Sequence, residues 1–373
     1  MRRREFLELL PATLALKAAA APADSAGEWR NKQSGMAYRR LGRTGYHISE
    51  VVMGGNLISP TNFDHVLMAA DMGLNYLDTA PAYGNGASES GYAKVIRARG
   101  RDKFFINSKV SGWDINRNKL YADIYASLDE TEQKRLRSAA KEEVLRRQAD
   151  APDYFGGYFK GQAEELEAAT LANAMAVKYG AKIDRSLNYR DLIFKSVDET
   201  LARLGTDHLD LLMCPHGANT PYEVASHPEI FEAFEKLKKA GKVRHLGLSS
   251  HTDPAGVIEA AVKTKVYSAA MIAYNVVNRR YVEPALAAAH KADFGVIGMK
   301  VAKPVHMGGN APTDPARVKL MHDAMPGPLK VPQKAYVWAL RNPGLTAVIS
   351  EMGTAAHVND NVPLAGTKPA ARA

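Results

Sequence analysis

Short apolar runs recur along the chain, and most are followed by a longer stretch whose apolar residues fall at helical spacing. The first three runs end at Gly54 and Gly55, at Asp78 and at Lys109; the later ones read HLDLLMCPH, VRHLGLSS, SAAMIAYN, FGVIGMKV and LTAVISEMG. Between them the spacing predicts helices over Phe63 to Met72, Glu89 to Arg99 and Pro228 to Ala240, and others beginning at Pro254, Val282 and Val331. Eight strand-helix units in succession imply parallel strands with helices outside. One interval breaks the rhythm: Ser111 to about Leu187 reads as an insertion after the third strand. Ser127 and Glu130 have the spacing of a capping box opening a charged helix through about Gln148, and a second helix over Gln162 to Tyr179 stops at Gly180. Between those helices lies DYFGGYFKG, where Tyr154, Phe155, Tyr158 and Phe159 are spaced by glycines.

With 373 residues, 46 % hydrophobic and 24 % charged, the chain has ample material for one domain with a large core. A formal charge of +9 raises nucleic acid as a partner, but the lysines and arginines are scattered, with no basic block interleaved with aromatics, so a solvated surface is expected instead. Cys214 is alone, which excludes an intrachain disulfide. After the first residues no apolar stretch is long enough to span a membrane. At the N-terminus, Arg2, Arg3 and Arg4 precede Phe6, Leu7 and an apolar run leading to Ala21-Pro22-Ala23. The pattern resembles a twin-arginine export signal over residues 1–23; the alternative is a basic amphipathic arm. A polar, mobile linker from Asp24 to Gly35 is expected to follow, and a short tail of residues 363–373 to end the chain.

Chemistry concentrates in YLDTAPAYG, from Tyr76 to Gly84. Asp78 ends a buried strand and Tyr83 follows five residues later in a loop, so a carboxylate and a phenol can face one cavity, where the phenol can give a proton to a carbonyl oxygen. Lys109 ends the next strand. These residues and their flanking text resemble the signature of the aldo-keto reductases, nicotinamide-dependent (β/α)8 TIM barrels with an Asp, Tyr, Lys and His tetrad. The resemblance covers about residues 36–362, apart from the insertion at 111–187, where the chain departs from the family. It implies a hairpin around Thr44-Gly45 plugging one end of the barrel. It also implies a catalytic set of Asp78, Tyr83, Lys109 and His216. A phenol with a pKa of about 10 is a poor acid at neutral pH, so Lys109, held by Asp78, would stabilise its anion. His216 would orient the carbonyl oxygen. It stands one position later than the family places its histidine relative to Asp210, and a one-residue bulge at Pro215 is expected to compensate.

For the cofactor, the resemblance implies contacts from Gly54 and Gly55, which leave room for its approach, and from Asp78, Ser249, Ser250, Met271, Lys300, Glu351, Gly353, His357, Asp360 and Asn361. Ser250 replaces an asparagine and Met271 a glutamine of the family pattern. Glu351 and His357 stand where cations often meet an adenosine phosphate, so NAD stands beside NADP as the cofactor. No metal ligand set appears. The insertion leaves from the face that carries barrel sites. It is read as a lid bringing Tyr154, Phe155, Tyr158 and Phe159 to a small-molecule substrate, or equally as a hairpin packed down by those aromatics or a contact with another subunit. The expected function is reversible hydride transfer between nicotinamide and a carbonyl or alcohol, in a periplasmic or otherwise exported protein that meets the export machinery through its signal and carries its nucleotide with it. The alternative is a cofactor-holding regulatory barrel with little turnover.

Overall fold

The structure, a computed structural model, describes residues 27–307 and 313–367, so the stretch expected to be an export signal and part of the tail lie outside the described residues. Three short strands come first: β1 (Glu28–Trp29), β2 (Tyr38–Arg40) and β3 (Tyr46–Ser49), in the order β1-β3-β2. β2 and β3 are the expected antiparallel hairpin, turned at a 3-10 segment and at Gly45, whose φ of 75° suits glycine. Leu41, Tyr46 and Ile48 of this hairpin pack inside the barrel with Val52 and Phe105 and close one end.

The barrel strands are β4 (Val51–Met53), β5 (Tyr76–Asp78), β6 (Phe105–Lys109), β7 (Leu209–Met213), β8 (Val243–Ser250), β9 (Ala269–Ala273), β10 (Gly295–Met299) and β11 (Ala347–Ser350). All pair in parallel and close as β10-β11-β4-β5-β6-β7-β8-β9. This is the (β/α)8 TIM barrel expected. Alternation along each strand sorts the core in two. Val52, Tyr76, Phe105, Leu211, Met213, Met271 and Ile297 fill the interior, while Val51, Leu77, Ile106, Leu212, Leu248, Ile272 and Val296 meet the outer helices.

Those helices are α1 (Asp64–Asp71), α2 (Ala87–Arg99), then three helices of the insertion, α3 (Trp113–Ser127), α4 (Glu130–Arg147) and α5 (Gln162–Tyr179), followed by α6 (Arg185–Leu204), α7 (Pro221–Ala225), α8 (Pro228–Lys239), α9 (Pro254–Thr264), α10 (Arg279–Lys291), α11 (Pro315–Ala324), α12 (Val331–Leu340) and α13 (Ala355–Asn361). Among the described residues no helix is long and apolar enough to cross a membrane.

Three expectations need correction. From Gly27 on, the expected mobile linker is tied to the barrel: Trp29 stacks on His47 at 3.9 Å, and the Arg30 guanidinium reaches the buried Asp210 at 3.0 Å. The described part of the tail, residues 363–367, packs as well, with Leu364 buried and the Gly366 N–H donating to Glu50 at 2.7 Å. The insertion has three helices, not two. Ser127 ends α3 by donating to the Ile124 carbonyl, and the cap of α4 is Asp129, whose carboxylate accepts the Glu132 N–H at 2.8 Å.

The insertion folds over the mouth of the barrel and is fastened to three loops. Asn173 donates to Thr220 at 2.7 Å after β7, Arg147 pairs with Asp253 at 3.1 Å after β8, and Asn275 donates to Tyr158 at 2.8 Å after β9. Tyr154 is the tightest fastening, donating to Asp253 at 2.6 Å while its oxygen accepts the Ala255 N–H at 2.9 Å. Tyr154→Phe leaves the Ala255 N–H without its acceptor and takes one donor from Asp253, which keeps Arg147 and the Gly256 N–H, at a cost of about 1–3 kcal/mol. Faster proteolytic cleavage within residues 111–187 is the expected readout, and cleavage unchanged from the parent chain would count against this anchoring role.

Candidate active site

The exit of β5 sets the geometry. Asp78 is fully buried, and its Oδ1 accepts from Asn107 Nδ2 and from Lys109 Nζ, both at 2.6 Å. Asn107 and Lys109 share the inner face of β6 with Phe105, and Asn107 pairs in register with Asp78. Lys109 donates a second bond to the Thr79 carbonyl at 2.8 Å, which fixes the ammonium from two sides. From there Nζ lies 4.6 Å from the centre of the Tyr83 ring. Burial by itself would lower the Lys109 pKa, but the Asp78 carboxylate and the Tyr83 oxygen outweigh it and hold the ammonium above its ordinary value. For Tyr83 the balance is opposite: burial raises the phenol, and the Lys109 charge only partly offsets it. The site therefore favours a charged Lys109 beside a protonated phenol, while burial raises the Asp78 carboxyl and the Lys109 and Asn107 donors oppose that rise.

His216 joins this group past the one-residue slip expected at Pro215: the Cys214 N–H meets the Gly247 oxygen at 2.9 Å, but the Ser249 N–H meets the Pro215 oxygen, at 3.3 Å, where a regular ladder would use that of Cys214. The β7–β8 register is continuous from Leu209 to Met213, and the chain leaves β7 through a cis Cys214–Pro215 peptide. The His216 Nδ1 lies 3.5 Å from the Ser111 hydroxyl, which also accepts the Ala82 N–H beside Tyr83. Burial, reinforced by Lys109, pushes the His216 pKa down to about 3, so the imidazole is neutral.

The expected cofactor residues divide. Ser249 shares the inner face with its partner Met271, and its oxygen accepts the Gly217 N–H at 2.9 Å, leaving the hydroxyl proton to donate. Ser250 points the other way, donating to the Ala218 carbonyl at 2.7 Å, and so braces a loop instead of facing the mouth. Gly54 lies against β11, its N–H on the Ser350 oxygen at 2.9 Å. Gly55 serves the protein's own packing, because a Cβ there would strike the Asp78 carbonyl oxygen. Gly353 lets its loop pass Leu57, whose Cδ1 would lie 2.7 Å from an added Cβ. Lys300, just past β10, is half-buried with a left-handed φ of 54°, a conformation that costs a non-glycine residue energy and tends to occur at functional sites. Glu351 is exposed, yet its carboxylate accepts the Leu57 N–H at 3.2 Å; burial raises its pKa, and Lys300 opposes that rise. Asp360 pairs with Lys330 at 2.7 Å and Asn361 donates to Ser350 at 3.0 Å, so both hold α13 in place, while His357 is an exposed residue of that helix.

Of the insertion aromatics, Tyr154 is spent as an anchor and Phe155 is half-buried. Tyr158 and Phe159 reach the mouth, where their rings lie 6.3 and 5.5 Å from His251. His251, which sequence reasoning passed over, lies beside the tetrad: burial, with the charges of Lys300 and Lys109, keeps it neutral. The signal was available, since His251 follows Ser249 by two and so continues the inner face of β8. Asn107 was legible in the same way, two residues before Lys109. A separate cavity of about 560 Å³ between α10 and α12, lined by Tyr274, Arg279, Glu283 and Trp338, shares no residue with the tetrad, so the chemistry and not the cavity locates the site.

A nicotinamide nucleotide suits the donors at this mouth. The Ser249 hydroxyl is free to donate, and Lys300 and Lys303 supply neighbouring positive charge for phosphate.

The model of the aldo/keto reductase family matches residues 54–155 and 143–368. Oxidoreductase YdhF of Escherichia coli is 32 % identical over 116 residues, 28 % of this chain and 38 % of that protein. The chain spans about half or less of the length of the curated relatives it matches. Aldo-keto reductase AKR11C1 from Bacillus halodurans, in its holo form, superposes with a TM-score of 0.59 at 22 % identity, covering 90 % of this chain and 93 % of that one. An aldo-keto reductase from Klebsiella pneumoniae in complex with NADPH gives 0.55 at 16 % identity over 89 % and 90 %. At these identities the two solved structures speak for the fold.

Proposed function

The chain belongs to the aldo/keto reductase family, and from that premise we propose that this oxidoreductase moves a hydride reversibly between a nicotinamide nucleotide and a carbonyl or alcohol, with Tyr83 as general acid and base. One observation carries the reading: the Lys109 ammonium sits 2.6 Å from Asp78 and 4.6 Å from the Tyr83 ring centre. The bound nucleotide supplies the hydride donor or acceptor; Ser249, Lys300 and Lys303 are the residues to hold it. In reduction Tyr83 gives its proton to the carbonyl oxygen, and the phenolate left behind is stabilised by Lys109. Asp78 and the Thr79 carbonyl keep the ammonium from turning away. His216, neutral throughout, donates to the same oxygen and sets its direction.

Glu351 and His357, where a 2′-phosphate would want cations, favour NADH. NADH is expected to bind at least as tightly as NADPH in a tryptophan-fluorescence titration, and to support reduction within a panel of aldehydes and ketones. Failure to bind either nucleotide would sink the reading. The arginine run at Arg2 to Arg4 supports export of the folded protein with its nucleotide held. Protein purified from the exported fraction should then show bound nucleotide by absorbance and mass spectrometry; its absence from both counts against the exported form.

A further inference from the structure

Resting on the hydride-transfer reading, we propose that Tyr158 of the insertion and His251 after β8 form a carboxylate-recognising pair, so that the preferred substrate is an oxo acid, with a carboxylate next to its reacting carbonyl. His251 follows the last residue of β8, two positions after the inward Ser249, and the centre of the Tyr158 ring lies 6.3 Å from its own at a tilt of 51°. The His251 Nδ1 is shut off from solvent without a partner among the described residues. An enclosed N–H without an acceptor is the rarer and costlier arrangement, so the proton sits on Nε2, the nitrogen left to donate. On Tyr158 the oxygen already accepts from Asn275 Nδ2 at 2.8 Å, and the Asn275 Oδ1 is taken by the N–H groups of Val277 and Asn278. The Tyr158 proton is therefore free to donate as well. Two donors on rings 6.3 Å apart can reach the two oxygens of one carboxylate.

The surroundings favour a charged acceptor over a hydroxyl. A hydroxyl brings its own proton and needs an acceptor, whereas the Tyr158 oxygen is already taken by Asn275 and the His251 Nδ1 is enclosed, which leaves the two donors. Lys300 and Lys109 lend positive charge from below. Of the nearby carboxylates, Asp78 is committed to Lys109 and Asn107, and Glu351 to the Leu57 N–H. Phe159, 37 % exposed at the edge of His251, walls the pair from bulk water, which strengthens the contact.

The probe is oxamate, an oxo-acid mimic that cannot be reduced, titrated by calorimetry into the nucleotide-loaded protein beside its neutral amide, oxamide. Oxamate is expected to bind at least about tenfold more tightly than oxamide, and Tyr158→Phe and His251→Phe should each weaken it about tenfold with melting temperatures kept within a few degrees. Each variant removes one donor, so either alone suffices if the other fails to fold. In turnover, the ratio of kcat/KM for glyoxylate to that for its methyl ester should fall by a similar factor. Equal binding of oxamate and oxamide by the parent chain, or variants that leave oxamate affinity unmoved, would overturn the proposal. Oxamate binding that depends on His251 in a protein that reduces no carbonyl would instead overturn the hydride-transfer reading and leave this pair standing.

Discussion

Tyr83→Phe is expected to lower turnover by about 10²–10⁴-fold while nucleotide binding stays near its parent value. The substitution removes one oxygen and keeps the ring, whose centre lies 4.6 Å from Lys109 Nζ, so the loop that carries it has little reason to move. That loop is held by its backbone, with the Tyr83 N–H on the Ala80 carbonyl and the Ser88 N–H on the Tyr83 carbonyl, and neither bond involves the phenol. What disappears is the phenol proton beside Lys109, the one that reduction uses. Steady-state reduction of an aldehyde beside a nucleotide titration separates the outcomes. Retained turnover removes Tyr83 from the mechanism, and a matching loss of nucleotide binding makes its role structural. A parent chain that binds nucleotide tightly but reduces nothing is the behaviour of a regulatory barrel.

Much of this architecture can be read from the chain because parallel strands buried on both faces leave continuous apolar runs, and here those runs stop at polar residues that belong to the site. Asp78 and Lys109 announce themselves in this way. Other features depend on partners distant in sequence. Helix α3 buries Trp113, Arg117 and Tyr121, a stripe at every fourth residue whose middle member is an arginine paired with Glu223. A hydrophobic pattern interrupted by a charge does not read as a face, so that helix went unseen. Strand β1 has only two residues and owes its place to Arg30 meeting Asp210. Ser250 shows the opposite failure: the resemblance placed it at the mouth beside Ser249, although a period of two sends adjacent residues to opposite sides of a sheet. The same rule would have brought His251 forward. Asp360 and Asn361 kept their place in the resembling text, but whether they are free for a ligand turned on Lys330 and Ser350, which only folding brings near.

Lys109→Met carries the other large effect, on stability and on pH dependence together. Removing the ammonium leaves the Asp78 carboxylate buried with Asn107 as its remaining side-chain donor, and breaking a buried pair in this way costs about 3–5 kcal/mol. In the parent chain the folded Lys109 pKa lies above its unfolded value. The pair's contribution is therefore whole below the unfolded value and is lost as pH rises through the folded one. Urea denaturation should show that alkaline loss in the parent chain and not in Lys109→Met. For catalysis the sign follows Tyr83. Reduction needs the protonated phenol, which burial holds above its ordinary value, so the rate should stay level through neutral pH and decline only in strongly alkaline solution. His216, with a pKa of about 3, adds no acid limb near neutrality. Oxidation needs the phenolate and should climb over the same alkaline range. Without the cation that lowers it, the phenol becomes a weaker acid, and both limbs move to higher pH in Lys109→Met. An alkaline limb that stays where it was would mean that the charge of Lys109 does not act through Tyr83, and the close approach of the two groups would then have no catalytic meaning.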